Sequence, residues 1–178
     1  ILEDGSQSVS DIIVGSDGRI VAVGPALDTQ SCGACIDISG MLVSPGFVDA
    51  HQHLDKTGVL RFTPNPSGTL QGAREAFAKY ARTAGPDDIY KRATRTVERC
   101  LSRGTTGIRS HITVDKDAGF HGIKTLAGIR DGAKDRITLQ LVAFMTPHPG
   151  QDFDWLNANI DGAVELADVV GGTPAVSE

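Results

Sequence analysis

The sequence predicts an α/β fold, and three observations carry that reading. Residues 9–43 hold short apolar runs separated by Gly-rich turns, with no helical period. After Gly46 the rhythm changes to strand, helix, strand, helix. Polar and histidine residues then recur where those strands end: His51 and His53, next His111, next Thr146 and His148. Alternating strands and helices imply parallel pairing. Functional side chains at strand C-terminal ends are what a (β/α)8, TIM-like barrel presents. On pattern alone a doubly wound open sheet is the alternative, although no Gly-rich phosphate fingerprint follows the first strand of the series. The expected organisation is a small antiparallel β-sheet region over residues 1–45, then the first half of a barrel over residues 46–178.

In the first region Asp11-Ile12-Ile13-Val14 and Arg19 to Gly24 flank the turn Gly15-Ser16-Asp17-Gly18, which reads as a hairpin. Ile36-Asp37-Ile38 and Met41-Leu42-Val43 bracket Ser39-Gly40 and read as two more short strands. In the second region Gly46 to Ala50 is a short buried strand entered through Pro45-Gly46. Leu70, Ala73, Phe77 and Ala81 share a helical face, and Gly85-Pro86 ends that helix. Asp87 and Asp88 favour the N-terminus of a second helix, whose apolar face is Ile89, Ala93, Val97, Cys100 and Leu101. Gly104 stops it. Thr106 to Val114 is a strand, and Ile123, Leu126 and Ile129 mark a third helix. Ile137 to Phe144 is the clearest strand. Trp155, Leu156, Ile160 and Val164 mark a fourth helix, and Ala167 to Gly172 opens the next strand.

Composition excludes several classes. The 178 residues are 40% hydrophobic and 22% charged, ordinary for a soluble globular chain. Net charge is −5 with no basic stripe, so no nucleic-acid partner is expected. No apolar run reaches the length of a membrane span, so no membrane partner is expected either. The three cysteines, Cys32, Cys35 and Cys100, are an odd count that argues against a disulfide framework. Cys32-Gly33-Ala34-Cys35 is read as two thiols in a surface loop, because no second C-x-x-C accompanies it. The expected compartment is the cytoplasm. The chain starts at Ile1, so its true start is expected upstream.

His51-Gln52-His53 is the most informative feature. Residues two apart on a strand point the same way, so both imidazoles project together from one strand end. Such a pair can supply two nitrogen ligands to one divalent metal ion, zinc or iron.

With these segments the chain resembles the amidohydrolase superfamily, and within it the cytosine deaminase-like group. The resemblance rests on Asp17 to Gly24, Ser44 to Thr57 with its Pro-Gly-Phe-Val-Asp-x-His-x-His-Leu-Asp block, and Ser67-Gly68-Thr69-Leu70. Arg109-Ser110-His111, Leu139 to Phe144 and Ala167 to Gly172 extend it. It implies the N-terminal part of a metal-dependent barrel, preceded by part of a composite β-sandwich. It also implies hydrolysis or deamination at a C–N bond of a cyclic amidine or amide, with a metal-activated water as nucleophile. His51 and His53 match the first two metal ligands, and Leu70 matches a pocket residue, although Leu70 also fits the apolar face of its helix. The small-molecule partner is a heterocycle, and homo-oligomer formation is left open. The family's remaining ligands, general acid–base Glu and catalytic Asp lie beyond the fourth barrel strand. No catalytic residue is therefore expected in this chain, and alone it is expected to be inactive. A (β/α)8 barrel needs about 250 residues, so the chain is expected to be part of a longer protein. A non-catalytic scaffold or binding module is the alternative.

Departures from the pattern bear on substrate. The pyrimidine-gripping Gln of cytosine deaminases is missing, and Thr146 or His148 takes its place in Phe144-Met145-Thr146-Pro147-His148. Thr113 stands where the family usually has Asp. A related heterocycle or an N-substituted amide is thus as well supported as cytosine. His111 at the strand end is either a pocket residue or a structural, hydrogen-bonded His. No Lys follows Lys134, which disfavours a carbamylated-Lys bridge and favours one metal. Glu178 stands near that position, where some relatives place a carboxylate. Asp55 and Lys56 pair with each other or shape the loop after the ligands.

Overall fold

The computed structural model describes residues 5, 8–30, 32–145 and 153–173. The chain divides into two compact units, Ile1–Pro45 and Gly46–Glu178. In the first, β1 (Asp11–Val14) pairs antiparallel with β2 (Ile20–Gly24). The hairpin follows from the Asp17-Gly18 turn, in which Gly18 has φ +77° and its N–H bonds Gly15 O. The expected strands at 36–38 and 41–43 are absent. Only a tight turn remains there, with Met41 N–H on Ile38 O. Ile36 and Met41 are exposed, so their apolar alternation has no buried face to serve. All three cysteines are unpaired.

The second unit is a parallel sheet covered by helices. Its strands are β3 (Phe47–Gln52), β4 (Thr105–Thr113), β5 (Thr138–Phe144) and β6 (Val169–Gly171). They lie in the order β3-β4-β5-β6, all parallel, as successive barrel strands do. Two glycines permit the first pairing. A Cβ at Gly46 would collide with Thr106, and Gly104 turns the chain at φ +85° to present its carbonyl to Phe47 N–H.

The helices are α1 (Leu70–Ala81), α2 (Pro86–Leu101), α3 (His121–Ala133) and α4 (Phe153–Leu166). Thr69 caps α1 by accepting the Gly72 N–H. Pro86 both ends the preceding segment and sits in the first turn of α2, where its missing N–H costs nothing. Alternation along the strands sends Ile108 and Ile112 of β4, and Leu139, Leu141 and Ala143 of β5, into one cluster with Ala93, Val97, Ile123 and Leu126 of the helices. The intervening Arg109, His111, Gln140 and Phe144 fall on the other face of the sheet. Two helical faces differ from expectation. Leu70 is 69% exposed, while Ala76, Tyr80 and Ala81 carry the packing of α1. In α4, Leu156 and Ala163 are buried, whereas Ile160 and Val164 are exposed.

Candidate metal centre

The site begins with an irregularity in β3. Opposite β4, Asp49 pairs with Ile108 but Gln52 pairs with Ser110, so three steps on β3 face two on β4. A bulge of this kind re-aims side chains. The strand therefore runs through His51 rather than stopping at Ala50. Asp49 accepts the His51 N–H at 3.2 Å and the Gln52 amide at 3.2 Å, and Gln52 Oε1 accepts the His53 N–H at 2.9 Å. These local bonds hold the bulge.

Three imidazoles converge there. The ring centroids of His51 and His53 are 5.1 Å apart, those of His51 and His111 4.2 Å, and those of His53 and His111 5.7 Å. Phe144 of β5 stands edge-on to both His53 and His111 at 5.9 Å. His53 Nδ1 lies 2.8 Å from the His111 carbonyl oxygen. A carbonyl only accepts, so Nδ1 carries the proton and the lone pair sits on Nε2. A hydrogen bond from one ring nitrogen to a carbonyl fixes the tautomer of metal-binding histidines in this way. His111 thus serves His53 through its backbone. Its own Nδ1 is buried with no hydrogen-bond partner.

Burial, reinforced by the Lys56 charge, lowers the His53 pKa to about 4. His111 is also lowered, by burial first and then by the neighbouring His51 charge. A neutral His53 at physiological pH suits a metal, which needs the unprotonated ring. Between the unfolded value of about 6.5 and about 4, the unfolded chain binds a proton that the native His53 refuses, so this residue removes stability as pH falls through that window. In the metal-free protein, an NMR titration of the His53 ring is expected to show a midpoint near 4. A midpoint near the ordinary imidazole value would mean that the ring is solvated.

The short 3-10 turn Leu54–Lys56 after the histidines is anchored on three sides. Leu54 N–H donates to the buried Ser110 hydroxyl at 3.0 Å. Asp55 Oδ2 accepts the Thr113 N–H at 2.9 Å, and burial pushes the Asp55 carboxyl pKa up. From α2, Arg92 Nη1 donates to the carbonyls of Asp55 (3.2 Å) and Thr57 (2.6 Å). Asp55 and Lys56 therefore do not pair. Asp55 turns inward, and the Lys56 ammonium sits over the rings of Phe77 and Phe144, 4.8 and 5.8 Å from their centroids.

Of the residues singled out from the sequence, His51, His53 and His111 come together. Leu70 begins α1 as an exposed side chain. Thr146, His148 and Glu178 lie outside the described residues. Among the described residues no group of three or more His, Cys, Asp or Glu side chains is arranged to hold a metal ion. His51 and His53 fit two corners of a metal site and no more. Sequence reasoning missed Ser110, Arg92 and the aromatic seat of Lys56. A buried Ser in an otherwise apolar strand face was the one available signal.

The amidohydrolase family profile matches residues 34–142. The N-isopropylammelide isopropyl amidohydrolase of Pseudomonas sp. is 36% identical over 115 residues, 61% of this chain and 28% of that protein. A crystal structure of 5-methylcytosine deaminase from Klebsiella pneumoniae, liganded with 5-fluorocytosine, superimposes with a TM-score of 0.82 at 27% identity, covering 98% of this chain and 42% of that one. The zinc complex of an atrazine chlorohydrolase from Arthrobacter aurescens matches with a TM-score of 0.58 at 25% identity, over 77% of this chain and 31% of that one. The chain thus spans well under half the length of each.

Proposed function

The chain belongs to the amidohydrolase family, and from that premise we propose that it forms the metal-ligating half of a hydrolase or deaminase that acts on a C–N bond of a cyclic amidine or amide. The observation that carries the proposal is the paired imidazoles of His51 and His53, with His53 held by the His111 carbonyl in the tautomer whose lone pair is on Nε2. A divalent metal, zinc or iron, would be held by these two residues and would lower the pKa of a water towards neutrality. The relative in complex with zinc supports zinc as the first metal to try. The relatives named for N-isopropylammelide and 5-methylcytosine support a nitrogen heterocycle as substrate.

This chain's own residues orient and exclude. Ser110, Asp55 and Arg92 fix the turn that follows the ligands. Phe144 walls the histidines. Leu70, His111, Thr146 and His148 are assigned to the substrate side, and the exposure of Leu70 supports lining over core packing. The remaining metal donors and the acid–base group fall to the part of the fold outside this chain. No helix among the described residues is long and apolar enough to cross a membrane; a small-molecule substrate in the cytoplasm belongs to the same reading.

The test is release of ammonia or amine from cytosine, 5-methylcytosine and N-isopropylammelide by the zinc- or iron-loaded longer protein that carries this chain together with the rest of the barrel. Turnover that disappears with a chelator and returns with metal is the expected result. Metal-loaded protein that releases nothing from any of the three would favour a scaffold role.

A further inference from the structure

A cleft lies apart from the metal centre, and none of His51, His53, His111 or Phe144 lines it. Its walls come from the turn after the histidines, α1, the start of α2, the loop after β4 and the first turn of α3. With its open mouth it encloses about 290 Å³, close to the lower bound for small-molecule sites. Much of the lining is apolar, with Phe77, Tyr80, Ala81 and Ile89 among it. The polar end is made by Asp55 and Thr113, which are 3% and 5% exposed. These two residues meet through Asp55 Oδ2 and the Thr113 N–H at 2.9 Å, so Oδ1 of the one and Oγ1 of the other belong to the same end. Neither Oδ1 nor Oγ1 has a hydrogen-bond partner in the protein. Buried polar atoms are nearly always paired, so two orphans in one cleft point to a ligand group between them. Gly122 keeps that end open, because a Cβ there would stand 3.6 Å from Asp55 Cβ and 3.1 Å from the Ile112 side chain. The surrounding charges decide the kind of ligand. The Lys56 ammonium already sits over the Phe77 ring and the Arg92 guanidinium over the Tyr80 ring. A further cation is repelled by both, and an anion is repelled by the Asp55 carboxyl.

We propose that this cleft is a second ligand site, which takes a small neutral molecule with a hydroxyl head and a short apolar tail. The hydroxyl donates to Asp55 Oδ1 and accepts from the Thr113 hydroxyl, so one atom of the ligand satisfies both orphaned groups. The tail lies against Phe77, Tyr80, Ala81 and Ile89. The site needs neither the metal nor the heterocycle reading.

The experiment follows backbone amide NMR shifts of the longer protein that carries this chain, titrated with isobutanol and with its charged analogues isobutylammonium and isobutyrate. Isobutanol is expected to shift the Thr113 and Gly122 amides saturably, and each charged analogue to bind more than about 10-fold more weakly. Thr113→Val keeps the shape and removes the hydroxyl, so it weakens isobutanol binding about 3- to 10-fold, the loss of one neutral hydrogen bond. Thr113→Ser keeps the hydroxyl and most of the affinity. Ala84→Leu fills the cleft from a lining position without touching the polar pair, and it abolishes binding at an unchanged melting temperature. Shifts that never saturate mean that the cleft takes water only, and they overturn the proposal. Isobutylammonium bound as tightly as isobutanol also overturns it, because the cleft is then a cation site. Wild-type isobutanol affinity in both Thr113→Val and Ala84→Leu places the alcohol elsewhere and overturns it as well.

Discussion

His51→Ala and His53→Ala each weaken zinc binding by more than about 100-fold, because loss of a supporting outer-shell bond alone costs about 10- to 100-fold and these substitutions remove a direct donor. The fold survives both changes. His51 is exposed, and His53 gives up a single side-chain hydrogen bond, to the His111 carbonyl. The stability loss for His53→Ala is therefore about 1 kcal/mol. Competition against a chromophoric zinc chelator reads the affinity, and urea unfolding reads the fold. The two variants differ in one respect. In His53→Ala the His111 carbonyl loses its donor, whereas in His51→Ala the His53–His111 bond stays in place. Wild-type zinc affinity in either variant would remove that residue from the ligand set.

The strands and helices of the second unit were legible because each carries its own period. Period two over Thr106 to Val114 and over Ile137 to Phe144, and period 3.6 over Ile89 to Leu101, report which face of an element is covered. The same reasoning failed at residues 36–38 and 41–43. A strand exists only where its N–H and C=O groups find another strand, and alternation alone does not supply one. It also misjudged α1 and α4, where several apolar residues share one side and only tertiary packing decides which of them is covered. Leu70, at the first position of its helix, lies beyond the packed turn.

The histidine pair was legible for a local reason: two residues on one strand end need no knowledge of the rest of the fold. The His111 carbonyl, 58 positions away from His53, was not, since a backbone oxygen leaves no mark in a sequence. The bulge between Asp49 and Gln52 was likewise hidden, although it decides how His51 and His53 are presented.

Arg92 shows the same limit and has the second large effect. It reads as one more charge on the polar side of α2, yet it reaches the loop after the histidines. Its Nη1 serves the carbonyls of Thr57 and Asp55, its Nε pairs with Asp88 at 2.9 Å, and its Nη2 meets the Tyr80 hydroxyl at 2.6 Å. The guanidinium carbon also lies 5.0 Å from the centre of the Tyr80 ring. With 12% of the side chain exposed, water cannot take over most of these bonds. Arg92→Met is expected to destabilise the chain by about 3 kcal/mol, less than the sum of its bonds because Asp88 is 39% exposed and rehydrates. It should also weaken zinc binding about 10-fold, as loss of a group supporting the ligands does. Arg92→Lys keeps the charge but lacks the planar fork that serves two carbonyls, a carboxylate and a phenol together, so it recovers less than half of the stability. Urea midpoints of the three proteins, measured with and without zinc, separate the two effects. A zinc increment in Arg92→Met equal to that of the wild type would mean that the turn holds its place without the arginine, and that Ser110 and Thr113 suffice to set it.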